Sequence, residues 1–262
     1  MLSENNAKII RSLSHKKYRY KYNLFLAEGV KTVFDILQSG FQEVHQIFLS
    51  QALSDSYSGL LEPFKDKLQT VTDKEMGRIS NLDSSPGILM TGNIPLPAVL
   101  EPSDFESGIH IYLDQVQDPG NVGTILRTAE WFDVRSIGFS EGCADIVHPK
   151  VIQASMGSFC RVNYWTGDLT SFILSDHTHV IGANLDGELL YQRPLPGSGV
   201  LVIGSEGQGI SLPVRTRLTR AVRIPSYQAV TESLNAAMAT GIILAEWQRQ
   251  VHADKHKGQS NL

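Results

Sequence analysis

Apolar residues recur along the chain with two periods, and these periods divide it into alternating helices and strands. In GVKTVFDILQSG, residues 29–40, apolar side chains repeat every three or four positions before a glycine, which predicts a helix. Short apolar runs such as HQIFLS and GILMTGNI predict strands. The first hundred or so residues therefore form a small alternating α/β unit.

A second and clearer α/β pattern begins at Ile109. Strands alternate with helices from HIYLDQV to a final helix that starts at about Ser233, which predicts a mainly parallel sheet covered on both faces. Between the two patterns, residues 93–108 carry three prolines among polar residues, as connectors do. The predicted domains are 1–105, including this linker, and 106–255, followed by a tail at 256–262.

Composition and charge narrow the class of protein. Hydrophobic residues make up 42% of the chain and charged ones 19%, as is ordinary for a globular protein. No apolar run approaches the roughly 20 residues that cross a bilayer, and Cys143 and Cys160 form no CxxC pair. We expect a soluble cytoplasmic protein with two buried thiols. The net charge of −4 argues against a surface built for nonspecific nucleic-acid binding.

The N-terminal segment departs from this acidic average. Between residues 8 and 21 it has no acid and interleaves basic with aromatic side chains, namely Lys8, Arg11, Lys16, Lys17, Tyr18, Arg19, Tyr20 and Lys21. Basic side chains neutralise phosphates and aromatic rings stack on unpaired bases, so the pattern is typical of RNA binding. A solvated amphipathic terminus explains it equally well.

Three later segments place polar residues or glycines directly after predicted strands. In the helix after Asn121, Arg127 points away from the apolar stripe, and Gly123 leaves space one turn earlier. The run VLVIGSEGQGIS ends a strand with glycines around Glu206, whose carboxylate disfavours a phosphate ligand. Asn235 stands near the start of the last helix. Taken singly, these features also fit a solvated arginine, a tight turn and helix caps.

Taken together, the segments resemble the three signature motifs of the SpoU (TrmH-like) branch of the SPOUT RNA methyltransferases. The resemblance covers about the C-terminal 150 residues, and residues 148–158 resemble a further family segment. The N-terminal unit resembles the family's accessory RNA-binding domain only in length, position and α/β order. The matching residues are Asp114, Val116, Asp118, Pro119, Asn121, Gly123, Arg127 and Ala129 in the first motif, Gly204, Glu206 and Gly209 in the second, and Ile224, Pro225, Ser233, Leu234, Asn235 and Glu246 in the third.

The resemblance implies an α/β SPOUT domain with a deep trefoil knot, and a binding site for S-adenosylmethionine (AdoMet) in the loops of the second and third motifs. AdoMet would lie against Gly204, Ile224 and Leu234, and a loop near Ala183 and Asn184 would close one side. The family's usual partner is a second copy of itself, packed through the knotted region.

The implied reaction is methylation of an RNA ribose 2′-hydroxyl, without a metal. Arg127 would contact the RNA phosphate and ribose and is the family's candidate base. Because a guanidinium stays protonated in proteins, positioning and charge stabilisation is its physically safer role. The residues expected to orient it and the target nucleotide are Asn121, Glu206, Ser233 and Asn235. The residues expected to bind RNA are Lys16, Lys17, Arg19, Lys21 and Arg127.

The third motif departs from the family pattern. Ser226 and Gln228 replace residues of the usual I-P-M-x-G, and the segment before Ser233 is one residue longer, so the loop at the cofactor is expected to differ. The extra N-terminal domain favours ribosomal RNA as substrate. A transfer-RNA 2′-O-methyltransferase and a noncatalytic RNA-binding protein with the same fold are the alternatives. A small-molecule enzyme is disfavoured, since no phosphate loop, triad or metal cluster appears.

Overall fold

The computed structural model describes residues 2–82, 84–172, 177–227 and 233–259. The chain forms two compact units, of which the first comprises residues 1–96 and 145–161 and the second comprises 97–144 and 162–262. The segment 145–161 therefore packs with the N-terminal residues. The predicted domains placed this segment in the second domain, 106–255.

The first unit is built on a four-stranded mixed sheet. Its strands are β1 (Leu24–Glu28), β2 (Val44–Ser50), β3 (Leu68–Val71) and β4 (Ile88–Asn93), in the order β1-β4-β2-β3. Only β2 and β3 pair in parallel; β4 is antiparallel to both of its neighbours. The helices are α1 (Glu4–Ser12), α2 (Lys16–Tyr22), α3 (Val30–Gln38), α4 (Gln51–Leu61), α5 (Asp73–Ile79) and, from the segment 145–161, α7 (Pro149–Ser155).

The helix predicted at 29–40 is α3, and the predicted strands HQIFLS and GILMTGNI are β2 and β4. The N-terminal elements α1, α2 and β1 were not predicted. In α1, Ser3 caps the helix by accepting the Asn6 N–H, and Ala7 and Ile10 are buried. The cluster to which they belong is Leu2, Ala7, Ile10, Leu13, Leu24, Leu26, Phe48, Val71, Met76, Ile79 and Leu89. The basic N-terminal segment is therefore part of a folded core.

The second unit contains a six-stranded sheet in which every pair of neighbours is parallel, in the order β10-β8-β9-β5-β6-β7. This confirms the predicted α/β class. The strands are β5 (Ile109–Asp114), β6 (Ser136–Phe139), β7 (Tyr164–Thr166), β8 (Val180–Leu189), β9 (Gly199–Gly204) and β10 (Arg220–Arg223). The central strand β5 is buried at all its residues, as expected of a strand covered on both faces.

The described residues of this unit also form the helices α6 (Pro119–Trp131), α8 (Leu169–Phe172), α9 (Leu212–Arg215) and α10 (Ala236–Gln259). The final helix thus starts slightly later than predicted and continues into the predicted tail, of which residues 260–262 lie outside the described residues. None of the described helices is both long and apolar enough to cross a membrane. The trefoil knot stays a prediction.

A buried ion pair holds the segment 145–161 within the first unit. Arg19 is 1% exposed, and its Nη2 lies 2.6 Å from Asp145 Oδ2. Arg19 Nη1 donates to the carbonyls of Leu13 and Ser14 at 2.9 and 3.0 Å. The Tyr20 hydroxyl donates to the other carboxylate oxygen of Asp145 at 3.0 Å. Because protein groups already occupy its guanidinium, we leave Arg19 out of the RNA-binding set that the sequence predicted.

We predict that Arg19→Met lowers the free energy of unfolding by about 3–5 kcal/mol, because it leaves the buried Asp145 carboxylate without its charged partner. The double variant Arg19→Met/Asp145→Leu should recover part of that loss, since no charge is then buried alone. Urea unfolding followed by circular dichroism measures both values. A single variant as stable as the wild type would contradict the structural importance of this pair.

Candidate active site

The carboxyl ends of the parallel strands β5, β9 and β10 share one edge of the sheet, where ligands bind in folds of this class. Asp114, the last residue of β5, pairs in register with Gly204, the last residue of β9. The Asp114 side chain is buried, and its Oδ2 accepts the Ser211 N–H at 2.6 Å. Asp114 therefore ties the end of β5 to the chain that follows the second motif. The sequence signal for this role was a carboxylate closing a mostly apolar strand, since a buried carboxylate needs donors.

Three side chains, one from each motif, meet at this edge. Asn121 Nδ2 donates to Glu206 Oε1 at 2.6 Å. Asn235 Nδ2 lies 2.8 Å from Asn121 Oδ1 and 3.1 Å from the same Glu206 oxygen. We call these three residues the amide–carboxylate bridge. The structure thus brings together three of the residues to which the sequence assigned an orienting role.

Helix capping explains how the two asparagines reach the bridge. Asp118, and not Asn121, caps α6, because its Oδ1 accepts the Asn121 N–H at 2.8 Å. The Asn121 side chain is therefore available for the bridge. Asn235 does cap its helix, since its Oδ1 accepts the N–H groups of Ala237 and Met238 at 3.0 and 3.2 Å. Its amide nitrogen remains to donate to the bridge, so one side chain serves both purposes.

Arg127 lies on the exposed side of α6, as its position opposite the apolar stripe predicted. Val122, Ile125 and Leu126 on the stripe are fully buried. Within the described part of the chain, Arg127 forms no ion pair or hydrogen bond. Gly123, one turn earlier, is buried, so the space that the sequence predicted beside it is not open to solvent.

Ser233 is exposed at the start of the third-motif segment, two positions before Asn235. The structure shows no hydrogen bond from it to the bridge among the described residues. Its proposed orienting role is therefore not a direct contact with Asn121 or Glu206 in this structure.

The glycines of the second motif serve the chain's own turn. Ser205 and Gly209 exchange backbone hydrogen bonds of 3.1 and 2.9 Å, so the loop folds back on itself. A Cβ on Gly204 would lie only 2.2 Å from the carbonyl carbon of Gly209, which excludes any side chain there. Gly209 has a φ of +68°, a conformation that favours glycine. The returning loop fills the space beside the Gly204 Cα, so this turn requires a glycine there.

The predicted closing loop at Ala183 and Asn184 is a bulge inside β8. The strand continues to Leu189, but β10 pairs with it only before and after residues 183–187, which leave the pairing. Asn184 Oδ1 accepts the Asp186 N–H at 3.2 Å, which shapes the bulge locally. Pairing of β8 with β9 ends opposite Val202, so the bulge lies beside the same sheet edge as Gly204.

Ile224 follows β10 directly and is partly buried, whereas Leu234 is 48% exposed beside Asn235. Asn235, which follows Leu234 in the chain, donates to the Glu206 carboxylate, so this segment brings an exposed apolar residue and a negative charge into one region. An apolar side chain and a carboxylate together suit a ligand with an aromatic base and a positive charge better than they suit an anion. Of the two departures in the third motif, Ser226 is exposed, and Gln228 lies outside the described residues.

Neither cysteine is a candidate nucleophile. Burial raises the pKa of Cys143, whose Sγ donates to the Leu113 carbonyl at 3.1 Å. Burial also raises the pKa of Cys160 to about 12. Both thiols are free and are protonated at neutral pH, and a thiol is a far weaker nucleophile than a thiolate.

Comparison with known proteins identifies the family. Residues 108–245, more than half of the chain, match the model of the SpoU rRNA Methylase family, and residues 4–90 match the MRM3-like substrate binding domain. The chain belongs to the SpoU rRNA methylase family. This confirms the resemblance seen in the motifs and the prediction of an RNA methyltransferase.

Individual relatives are similar to this protein along nearly the whole chain. The 23S rRNA (guanosine(2553)-2′-O)-methyltransferase RlmP of Bacillus subtilis is 25% identical over 240 residues, covering 89% of this chain and 92% of its own. A solved structure described as an RNA methyltransferase of the TrmH family, from Porphyromonas gingivalis, is 37% identical with a TM-score of 0.81, covering 95% and 99%. The AdoMet-bound rRNA methyltransferase of Sinorhizobium meliloti is 26% identical with a TM-score of 0.78, covering 95% and 97%.

We predict that two variants of Asn235 separate helix capping from the bridge. Asn235→Ser keeps an oxygen that caps α10, whereas Asn235→Ala loses the cap at a cost of about 1 kcal/mol. Both lose the amide that donates to Asn121 and Glu206. Thermal unfolding should therefore distinguish the two variants, while methyl transfer from AdoMet to RNA should fall to a similar extent in both. Normal transfer by Asn235→Ser would show that the bridge has no part in the reaction.

Proposed function

We propose that the chain is an AdoMet-dependent RNA 2′-O-ribose methyltransferase that acts on ribosomal RNA. The observation that carries the proposal is the amide–carboxylate bridge, which joins the three motifs. One of its residues, Asn121, lies on α6, the helix that also presents the exposed Arg127. Membership of the SpoU rRNA methylase family and the match of residues 4–90 to a substrate binding domain support the choice of substrate. Such an enzyme would work where ribosomes are assembled, which we take to be the cytoplasm.

The cofactor site proposed for AdoMet is the sheet edge around Gly204, Ile224 and Leu234, with the bulge at Ala183 and Asn184 beside it. When bound there, AdoMet would supply a sulfonium methyl group to the ribose 2′-oxygen, with the hydroxyl proton passing to water and a neutral thioether left behind. The apolar side chains of Ile224 and Leu234 would contact the adenine, and the Glu206 carboxylate would favour the positive charge. The named relative from Sinorhizobium meliloti, which is AdoMet-bound, supports AdoMet as the cofactor.

Arg127 is the residue proposed to hold the RNA at the reacting position. Its guanidinium stays protonated, so it binds the phosphate and ribose next to the target and stabilises the negative charge that develops on the 2′-oxygen. Asn121, Glu206 and Asn235 fix the start of α6 and α10, and thereby the helix from which Arg127 projects. Ser233 is proposed to contact the target nucleotide. Much of the rate enhancement then comes from alignment, because the methyl group of a sulfonium is already activated.

We further propose that the chain forms a homodimer through the exposed face of α6 and α10. Trp131 is 84% exposed and Met238 is 61% exposed, which is much apolar surface for two neighbouring helices. Some of the small residues at the start of α10 pack within the chain itself, since Ala236, Ala237 and Thr240 are buried there. The apolar side chains that remain outside fit a second copy of the same face.

We predict that Arg127→Ala lowers methyl transfer to RNA by roughly 100- to 1,000-fold, as expected for loss of one charge-stabilising group. The affinity for AdoMet should stay close to that of the wild type, because Arg127 lies outside the proposed cofactor contacts. Labelled-methyl transfer and calorimetry with AdoMet measure the two effects. Full activity in this variant would contradict the assigned role, and RNA binding by a wild-type chain that never transfers a methyl group would favour a noncatalytic protein.

We predict that Trp131→Glu converts the dimer into a monomer, because it places a charge in an apolar contact. Light scattering after size-exclusion chromatography measures the mass. Leu60→Glu is the matched control, since Leu60 is also exposed, at 65%, but lies on α4 of the first unit. A wild-type chain that is monomeric, or a Trp131→Glu chain that remains dimeric, would exclude this interface.

A further inference from the structure

The helix α2 carries an exposed basic surface in the first unit. Lys16, Lys17 and Lys21 are exposed, and no acidic residue lies in α2. We call these three lysines the α2 lysines. Each has its Nζ within 6.0 Å of the ring centre of a tyrosine on the same helix. The distances are 5.8 Å from Lys16 to Tyr20, 6.0 Å from Lys17 to Tyr18 and 5.3 Å from Lys21 to Tyr22. Cations and aromatic rings therefore alternate along this surface.

The three tyrosines differ in what holds them. Tyr22 packs against the hydrophobic core of the unit, and Tyr18 is partly buried and stacks on Tyr22 with ring centres 6.3 Å apart. Tyr20 is 55% exposed. These two packed rings belong to the fold, and their cation–π contacts with lysine need no further explanation. Tyr20 is the ring that remains accessible to a ligand.

Tyr20 is exposed and yet held in place. Its hydroxyl donates to Asp145 Oδ1 at 3.0 Å, and the other oxygen of Asp145 accepts from Arg19 Nε and Nη2 at 3.1 and 2.6 Å. Since Arg19 is buried, the acceptor of the Tyr20 hydroxyl is fixed in the core. A ring fixed in this way loses little conformational freedom when a ligand binds to it.

We propose that Tyr20 is a stacking platform for an unpaired base of the RNA substrate, that the α2 lysines neutralise the phosphates on either side, and that Asp145 is the residue that positions the ring. The inference rests on the proposed function, because it takes RNA as the ligand. Stacking needs a free base face, so the partner is single-stranded RNA, a loop or a bulge, and not a continuous duplex. An acidic protein surface would use the lysines but has no need of the ring.

Binding of the full-length protein to a fluorescent single-stranded oligoadenylate, measured by anisotropy at several salt concentrations, tests the proposal. Tyr20→Ala should weaken binding by roughly 5- to 150-fold, the range expected for loss of one base–aromatic stack. The slope of log affinity against log salt should not change, because no charge is removed. The triple variant of the α2 lysines to Ala should instead reduce that slope by about 2, as loss of three phosphate contacts on a single strand predicts.

Two further variants separate the ring from its tether. Tyr20→Phe keeps the ring but loses the hydroxyl that Asp145 holds, and should bind less tightly than the wild type but more tightly than Tyr20→Ala. Tyr20→Trp keeps a stacking face and should retain most of the affinity. In the methylation assay, Tyr20→Ala should raise the KM for RNA and leave kcat and AdoMet affinity unchanged. A change in structure alone would instead lower the melting temperature and affect kcat as well.

The proposal is overturned if Tyr20→Ala binds oligoadenylate as well as the wild type does, or if Tyr20→Phe binds no better than Tyr20→Ala. It is also overturned if Tyr20→Ala weakens binding to a matched RNA duplex as much as it weakens binding to the single strand. These results stand apart from the proposed reaction. A wild-type protein that methylates no RNA would refute the reaction, whereas normal methylation with an unchanged KM in Tyr20→Ala would refute only the platform.

Discussion

A single carboxylate oxygen joins parts of the chain that are far apart in sequence. Glu206 Oε1 accepts from Asn121, 85 positions earlier, and from Asn235, 29 positions later. Hydrogen bonds to a carboxylate acceptor are stronger than those between neutral groups. They fix the first turns of α6 and α10 at the carboxyl edge of the sheet. The position of Arg127, and with it the proposed chemistry, depends on this bridge because Arg127 projects from α6.

Two features of the sequence, the apolar periods and the combination of motifs, were sufficient to predict much of the fold and of the candidate site. Apolar periods gave the α/β class and most elements, since a parallel sheet buried on both faces leaves long apolar runs in the strands. On α6 the same period indicated that Arg127 faces outward, where the structure places it. That Asn121, Glu206 and Asn235 meet came from the combination of motifs and not from any one of them, because each alone is explained by a turn or a cap.

Other features depend on contacts that no local pattern records. Arg19 reads as a surface cation, but its partner Asp145 is 126 positions away, and only the fold shows that the pair is buried. Gly204 reads only as part of a glycine-rich turn, and the fold adds that its close neighbour is the backbone at Gly209. The early helices were obscured because α2 is rich in lysine and tyrosine, a composition that also suits a solvated terminus. In each case tertiary contacts, and not propensity, decide the outcome.

The first unit presents an anchored aromatic ring among lysines, and the second presents an outward guanidinium beside a bridged sheet edge. The measurement that tests the central claim most directly is transfer of a labelled methyl group from AdoMet to separated ribosomal and transfer RNA, followed by mapping of the modified nucleotide. The account predicts a label on a ribose 2′-oxygen of ribosomal RNA. A label on a base, or none on any RNA, would contradict it.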